Sequence, residues 1–117
     1  MNIEELRNYC LNKKGVSESF PFGEDTLVFK VLDKAFALAS ISEPDSVNLK
    51  CDPEYAIELR EKYDAVQPGY HMNKKHWNTV NLSGELDDKL LCKLIDHSYD
   101  MVVKGMKKKE REALTDL

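Results

Sequence analysis

Apolar and polar side chains alternate over three successive stretches in the first half of the chain, which is the pattern of strands with one buried face. The stretches run over 27–31, 35–40 and 47–51 and are joined by short turns. In the second stretch, Phe36 and Leu38 are expected to point to the same side. Short turns between alternating strands are typical of an antiparallel meander, so the sequence predicts a sheet with one face on the core and the other in water.

Capping residues predict two helices on either side of this meander. Asn2 is followed three residues later by Glu5, as in a capping box, and predicts a helix over 2–14. Asp52 before Pro53 is a strong helix start, because aspartate caps the first turn and proline fits its first position. The second helix is expected to stop before the proline and glycine that follow it.

A strand pair is expected after the second helix, at Val66 and over 77–82. Alternation in the longer strand puts Val80 on the apolar face and Trp77 and Thr79 on the opposite face. The segment 18–25 holds a proline and a glycine and is expected to be irregular.

The last helix has the clearest pattern, because its apolar residues recur every three or four positions. Lysines at 104–109 are expected at its C-terminal end, where the helix dipole favours positive charge. The order helix, meander, helix, strand pair, helix predicts an α+β fold with an antiparallel sheet and helices packed on one face. The apolar stripe of the last helix consists of Leu90, Leu91, Leu94, Ile95, Tyr99, Val102, Val103 and Met106.

Length and composition limit the class of protein. The 117 residues, 42% of them hydrophobic and 32% charged, predict one water-soluble domain over 1–117. No apolar run approaches the ~20 residues that span a bilayer, and the acidic N-terminal stretch does not resemble a signal peptide, so no membrane association and a cytoplasmic location are expected. The three cysteines are far apart and are expected to be reduced structural thiols.

The charge is unevenly distributed. The formal net charge of −4 argues against a protein covered with positive charge for duplex binding. Residues 1–64 hold 13 acidic and 8 basic residues, whereas residues 65–117 hold 8 acidic and 9 basic residues. A local basic patch on an acidic protein is therefore compatible with the sequence.

The stretch 69–78 has the most unusual composition, with two histidines, two lysines, two asparagines, a tyrosine and the only tryptophan. His71 and His76 are five residues apart, which matches no standard zinc spacing, so no metal or other cofactor is expected. No nucleophile, paired-carboxylate or phosphate-loop motif is present, so an enzyme is not expected. Two interpretations stay open: a surface that binds anions or nucleic acid, and a structural loop anchored by Trp77 and Tyr70.

Several motifs resemble a known family. The more specific ones are Pro-Gly-Tyr-His-Met-Asn-Lys at 68–74 and His-Trp-Asn at 76–78. Weaker ones are Ser-Phe-Pro-Phe-Gly at 19–23, Phe-Lys-Val at 29–31, Lys-Ala-Phe-Ala at 34–37, Leu-Lys-Cys-Asp-Pro at 49–53 and Ser-Tyr-Asp at 98–100. In this order they are similar to the MmcQ/YjbR family of small bacterial proteins, over about residues 2–105. The first turn departs from the family pattern, because Leu32-Asp33 stands where a glycine before the lysine is usual.

The resemblance implies a fold similar to bacterial frataxin (CyaY-like) and a DNA-binding role, without the acidic iron-binding ridge of true frataxins. DNA would bind to the polar face of the sheet, with lysines on phosphates and Trp77 against a base. The alternative is a small-ligand or protein-partner module that uses the same face. The candidate binding residues are Lys30, Lys34, Asn48, Lys50, His71, Lys74, Lys75, His76, Trp77 and Thr79.

Overall fold

The computed structural model describes all residues from 1 to 117 and consists of one six-stranded antiparallel sheet and four helices. The strand order across the sheet is β1-β2-β3-β4-β6-β5. Along the chain the elements are α1 (Ile3–Leu11), β1 (Val16–Ser19), β2 (Thr26–Val31), β3 (Lys34–Ser40), β4 (Ser46–Lys50), α2 (Pro53–Lys62), β5 (Val66–Pro68), β6 (Trp77–Asn81), α3 (Asp88–Lys104) and α4 (Lys108–Thr115).

The predicted α+β architecture is confirmed. The longest helix, α3, lies against β2, β3 and β4, whereas α1 lies against β1 and α2 against β5. Buried residues of all four helices join those of the sheet in a single core. None of the helices has the length and apolar composition needed to cross a membrane.

The predicted caps form as expected. The Asn2 side chain accepts a hydrogen bond from the Glu5 amide at 2.8 Å, and the Glu5 carboxylate accepts one from the Asn2 amide. The Asp52 carboxylate accepts from the Tyr55 amide, with Pro53 in the first turn of α2. Such side-chain acceptors replace the missing intrahelical partners of the first turn.

Two elements were not predicted. One is β1, an edge strand that pairs with β2 from Val16↔Val31 to Ser19↔Val28 and takes in the first two residues of the segment 18–25 that was expected to be irregular. Of the lysines expected at the C-terminal end of α3, Lys104 lies there, whereas Lys107, Lys108 and Lys109 lie at the start of α4, which follows after a break at Gly105. The Lys107 amide donates to the Glu110 carboxylate there, so a glutamate starts the new helix.

The prediction that Phe36 and Leu38 share a face is wrong. Phe29 pairs with Ala37 and the next residue of β2 pairs with Ala35, so Phe36 is an extra residue in β3. Such a bulge lets the strand change which side chains it presents to the core. Phe36 is fully buried against the α3 side, with its ring edge-on to Tyr99, whereas Leu38 lies on the opposite face beside Val28.

A serine of α3 fills the place where β3 and β4 separate. Regular pairing of these strands ends at Ala37↔Leu49. The Ser98 hydroxyl, which is fully buried, accepts from the Lys50 amide at 2.8 Å and donates to the Phe36 carbonyl at 2.6 Å. It satisfies two backbone groups that the neighbouring strand would otherwise pair.

Candidate functional site

The sheet face that the helices leave uncovered, here called the open face, contains most of the predicted binding residues. In the pairing of β4 with β6, Lys50 lies opposite Trp77, and Asn48 lies opposite Thr79. The next residues in each strand, Leu49 and its partner Asn78, point into the core. The predicted assignment of faces in β4 and β6 is therefore confirmed.

The loop 69–76 folds back over the open face and is held there by hydrogen bonds. The Tyr70 amide donates to Thr79 Oγ1 at 2.9 Å, and the Asn73 side chain accepts from two amides of its own turn. A side chain on Gly69 would come within 2.9 Å of the Cβ and carbonyl oxygen of Trp77, so only glycine fits this approach. His71 has a φ of 57°, which is uncommon for a residue other than glycine.

Arg60 of α2 connects the helix layer to this loop, and sequence reasoning did not identify it. Its Nε donates to the Asn78 side-chain oxygen at 2.7 Å, and Nη2 donates to the carbonyl of Trp77 at 3.1 Å and to that of Lys74. A planar guanidinium can hold three acceptors at once in this way. The only signal in the sequence was a basic residue on the helix before the loop.

Four of the predicted lysines lie on the open face or on the loop 69–76 beside it, without a carboxylate partner. Lys30, Lys50, Lys74 and Lys75 form no ion pair, in contrast to Lys13, Lys34 and Lys108. Lys30 and Lys50 point to the open face, whereas Lys74 Nζ donates to the Gly69 carbonyl at 2.9 Å. These four lysines and Trp77 are called the basic half of the open face.

Two predicted residues do not present their side chains as expected. Lys34 was predicted to take part in binding at the polar face of the sheet, but its Nζ lies 3.7 Å from Glu110 Oε2 of α4, on the helix side. This position follows from the bulge, which turns the start of β3 toward the helices. His76 is partly buried, and its carbonyl accepts from the Cys51 amide, so its backbone extends the pairing of β4 with β6.

The remaining predicted residues, Asn48, His71 and Thr79, line a cleft of about 720 Å³ that adjoins the basic half of the open face. Here it is called the open-face cleft. Phe22 and Tyr70 also line it, and neither was predicted as a binding residue. Phe22 could have been noticed as an aromatic side chain between Pro21 and Gly23, where it cannot be part of a strand core.

The charges near the open-face cleft are negative. Asp25 and Glu43 line the cleft, and no lysine or arginine does. Asp25 accepts from Ser40 Oγ at 2.8 Å, from the Ser42 amide at 2.8 Å and from Ser42 Oγ at 3.0 Å. These hydrogen bonds, led by that from Ser40, hold the pKa of Asp25 below its usual value, so the carboxylate stays ionised near neutral pH.

Comparison with known proteins gives a consistent picture. The family model described as YjbR matches residues 11–101. The chain is similar to the uncharacterized protein YjbR of Escherichia coli (strain K12), 36% identical over 118 residues that cover 100% of both chains. It is also similar to the uncharacterized protein YbdF of Escherichia coli O157:H7, 36% identical over 93% of this chain and 90% of that one.

Solved structures agree with this result. The crystal structure of Deinococcus radiodurans protein DR2400 matches with a TM-score of 0.89 at 43% identity, over 97% of this chain and 87% of that chain. A crystal structure of a protein from Pseudomonas syringae matches with a TM-score of 0.73 at 32% identity, over 86% of this chain and 98% of that chain.

Proposed function

The chain belongs to the YjbR family, and we propose that it binds DNA through the basic half of its open sheet face. The main support is that Lys30, Lys50, Lys74 and Lys75 have no carboxylate partner and lie on or beside the face that carries Trp77. Unpaired lysines are available to neutralise phosphates, and they release counterions when they do so.

The residues have different roles in this proposal. Lys30 and Lys50 contact phosphates from the sheet, and Lys74 and Lys75, which are exposed on the loop, contact them from the rim. The Trp77 ring, directly across from Lys50, stacks on a base or inserts beside one. Because phosphate contacts have no base information, binding is expected to depend little on sequence.

The proposal is for binding without catalysis. Burial raises the pKa values of Cys10 and Cys51 to about 12, so neither thiol supplies a thiolate near neutral pH. His97 Nε2 accepts a hydrogen bond from the Asp52 amide at 3.1 Å, so this ring nitrogen has a structural role at the start of α2. These observations support a protein that binds its target unchanged.

Salt dependence tests the electrostatic part. Binding of a fluorescent mixed-sequence duplex and of its single strand is measured by anisotropy between about 50 and 200 mM salt, where four phosphate contacts give a log–log slope of about −4. The double variant Lys50→Gln with Lys75→Gln should flatten this slope to about −2. The matched control is Lys89→Gln with Lys93→Gln, two exposed lysines of α3, and should leave the slope unchanged.

Two results would contradict the DNA proposal. One is a parent protein without saturable binding to either DNA at low salt, and the other is equal flattening by the control pair. Trp77→Ala tests the stacking role and should weaken binding by about 1–3 kcal/mol without a change in melting temperature. If Trp77→Ala loses binding only because the domain melts, Trp77 is an anchor of its loop.

A further inference from the structure

The open-face cleft has the size and wall structure of a small-molecule site. Its volume of about 720 Å³ lies within the ~300–1,000 Å³ range of ligand pockets in proteins. Its floor comes from β3, β4 and β6, with Leu38, Asn48 and Thr79 among the floor residues. Phe22 precedes β2 and Tyr70 lies beside β4 and β6, so two aromatic residues border a floor that is partly apolar and partly polar.

The aromatic walls are exposed to water to an unusual degree. Phe22 is 74% exposed and Tyr70 is 69% exposed. They are the two most exposed of the six large hydrophobic side chains on the surface, and both line this one cleft. Clustered exposure of this kind marks a surface that binds something, because scattered single residues are the usual case.

The walls on the Tyr70 side are held in place before any ligand arrives. The centroids of the Tyr70 and His71 rings lie 4.0 Å apart, with an angle of 51° between the ring planes, and the Tyr70 amide donates a hydrogen bond to Thr79 Oγ1. His71 is held in the left-handed region, with a φ of 57°, which is uncommon for a residue other than glycine and is one of the conformations that recur at functional sites. A loop ordered in advance loses less conformational entropy on binding.

The charge of the open-face cleft determines whether it favours a positively or a negatively charged ligand. Its formally charged residues are the two acids Asp25 and Glu43. Asp25 already accepts three hydrogen bonds from the serines that follow β3, so it contributes a fixed negative charge, whereas the Glu43 carboxylate makes no hydrogen bond or ion pair. An anion would be repelled here, and a cation would be attracted.

The floor can add hydrogen bonds to the body of a ligand. Thr79 Oγ1 donates to Asn48 Oδ1 at 2.5 Å, which leaves the Asn48 amide nitrogen directed at the Tyr70 carbonyl over a long 3.4 Å. That nitrogen can donate to a ligand acceptor at little cost. A second hollow beside β5 lacks this combination, because its lining has one hydrophobic residue, Ala65.

We propose that the open-face cleft binds a small planar aromatic cation, with the ring between Phe22 and the Tyr70–His71 pair and the positive group toward Asp25 and Glu43. This site does not depend on the DNA proposal, because neither Trp77 nor any lysine of the basic half lines the cleft. Either proposal can fail while the other holds.

Three probes of the same shape and different charge test the ligand class. Benzamidine, benzamide and benzoate are planar and carry a positive, zero and negative charge. Each is titrated into the full chain and followed by amide NMR shifts. Benzamidine should give saturable shifts at Tyr70, His71 and Thr79 and should bind at least about tenfold more tightly than benzoate, since one unit charge near two carboxylates easily exceeds ~1.4 kcal/mol.

Variants locate the site and distinguish the contribution of its aromatic walls from that of its acidic residues. Phe22→Ala and Tyr70→Ala should each weaken benzamidine binding at least about threefold, whereas the exposed Ile57→Ala on α2 should not change it. Glu43→Gln should weaken benzamidine but not benzamide, with Glu58→Gln as the matched exposed control.

The proposal is overturned by any of three results. The first is no saturable shift up to about 10 mM benzamidine, the weakest binding that a ligand of this size would be expected to show in a formed site. The second is benzoate binding as tightly as benzamidine, and the third is saturable shifts located away from the cleft. Unchanged amide spectra of the free variants show that each one folds.

Discussion

Replacing Arg60 by methionine should destabilise the whole domain, although Arg60 lies at the periphery on the short helix α2. The side chain is partly buried and donates to Asn78 Oδ1 and to two carbonyls of the loop 69–76 and its following strand. Methionine keeps the aliphatic stem and removes all three donors. The change therefore tests the hydrogen bonds and leaves most of the packing in place.

The magnitude depends mainly on the buried amide. Asn78 is 2% exposed, and an orphaned buried acceptor costs about 1–3 kcal/mol. The Trp77 carbonyl loses less, because it also accepts from the Gly69 amide at 2.9 Å. Together these losses amount to about 2–3 kcal/mol. With an unfolding entropy of about 0.25 kcal/mol/K for a chain of 117 residues, the melting temperature should fall by roughly 8–12 °C.

Urea and thermal unfolding of Arg60→Met, followed by circular dichroism, measures this loss. Arg7→Met is the matched control, because Arg7 forms two hydrogen bonds to Glu18 on the surface, where such pairs contribute little. The double variant Arg60→Met with Asn78→Leu removes both partners and should lose less than the two single changes combined. A fall of less than about 2 °C for Arg60→Met, or strictly additive losses in the double variant, would refute the reasoning.

Three further predictions concern the layer beneath the sheet. Ser98→Ala orphans the two backbone groups that its hydroxyl bridges and should lower the free energy of unfolding by about 2–3 kcal/mol, whereas the exposed Ser17→Ala should not, as urea unfolding would reveal. Burial lowers the pKa of His97, so the unfolded chain takes up a proton first as the pH falls below about 6.5; stability should fall with pH there, and His97→Gln should flatten that dependence in melting curves. The buried thiols of Cys10 and Cys51, with pKa values raised to about 12, should react with iodoacetamide at neutral pH only as fast as the domain opens, and mass spectrometry that finds rapid labelling of either would contradict their burial.

Alternation predicted which sheet face each side chain takes wherever the pairing is regular. It placed Trp77 and Val80 correctly, because β4 and β6 pair without a shift in register. It failed at Phe36, because a bulge depends on the neighbouring strand and leaves no mark in the alternation itself. It also missed β1, whose Ser-Glu-Ser stretch is stabilised by backbone pairing with β2 and by the contact of Glu18 with Arg7.

The start of α4 could have been found from the sequence, although the lysine run hid it. Basic residues usually end helices, so Lys107 was assigned to the end of α3. The competing signal was Glu110, three residues later, which is the position that accepts from the amide of the capping residue before a helix. The hydrogen bond to the Glu110 carboxylate outweighs the modest preference of the helix dipole for acidic rather than basic residues at the start of α4.

The candidate site could be predicted as a face but not as two sites. Alternation brought Lys50 and Asn48 onto one surface, but they lie two residues apart along β4, and the cleft begins between them. The division is made by residues from other segments, since Phe22, Asp25 and Glu43 reach the face only through the loops before β2 and after β3. No spacing in the sequence relates those loops to the stretch 69–78.

The opposite charges at the two ends of the open face explain how an acidic chain can offer a basic surface. From Ser46, beside the acidic cleft, to Lys50 the strand rises by about 13 Å. The Debye length is about 8 Å at physiological ionic strength and about 30 Å at 0.01 M. DNA bound to the lysines is therefore repelled by the Glu43 carboxylate at 0.01 M salt, whereas salt screens this repulsion at physiological ionic strength. Removing its charge with Glu43→Gln should therefore tighten DNA binding at 0.01 M salt and leave it unchanged at about 0.15 M. Equal tightening at both ionic strengths would place the DNA over the cleft itself and would contradict the division of the face into two sites.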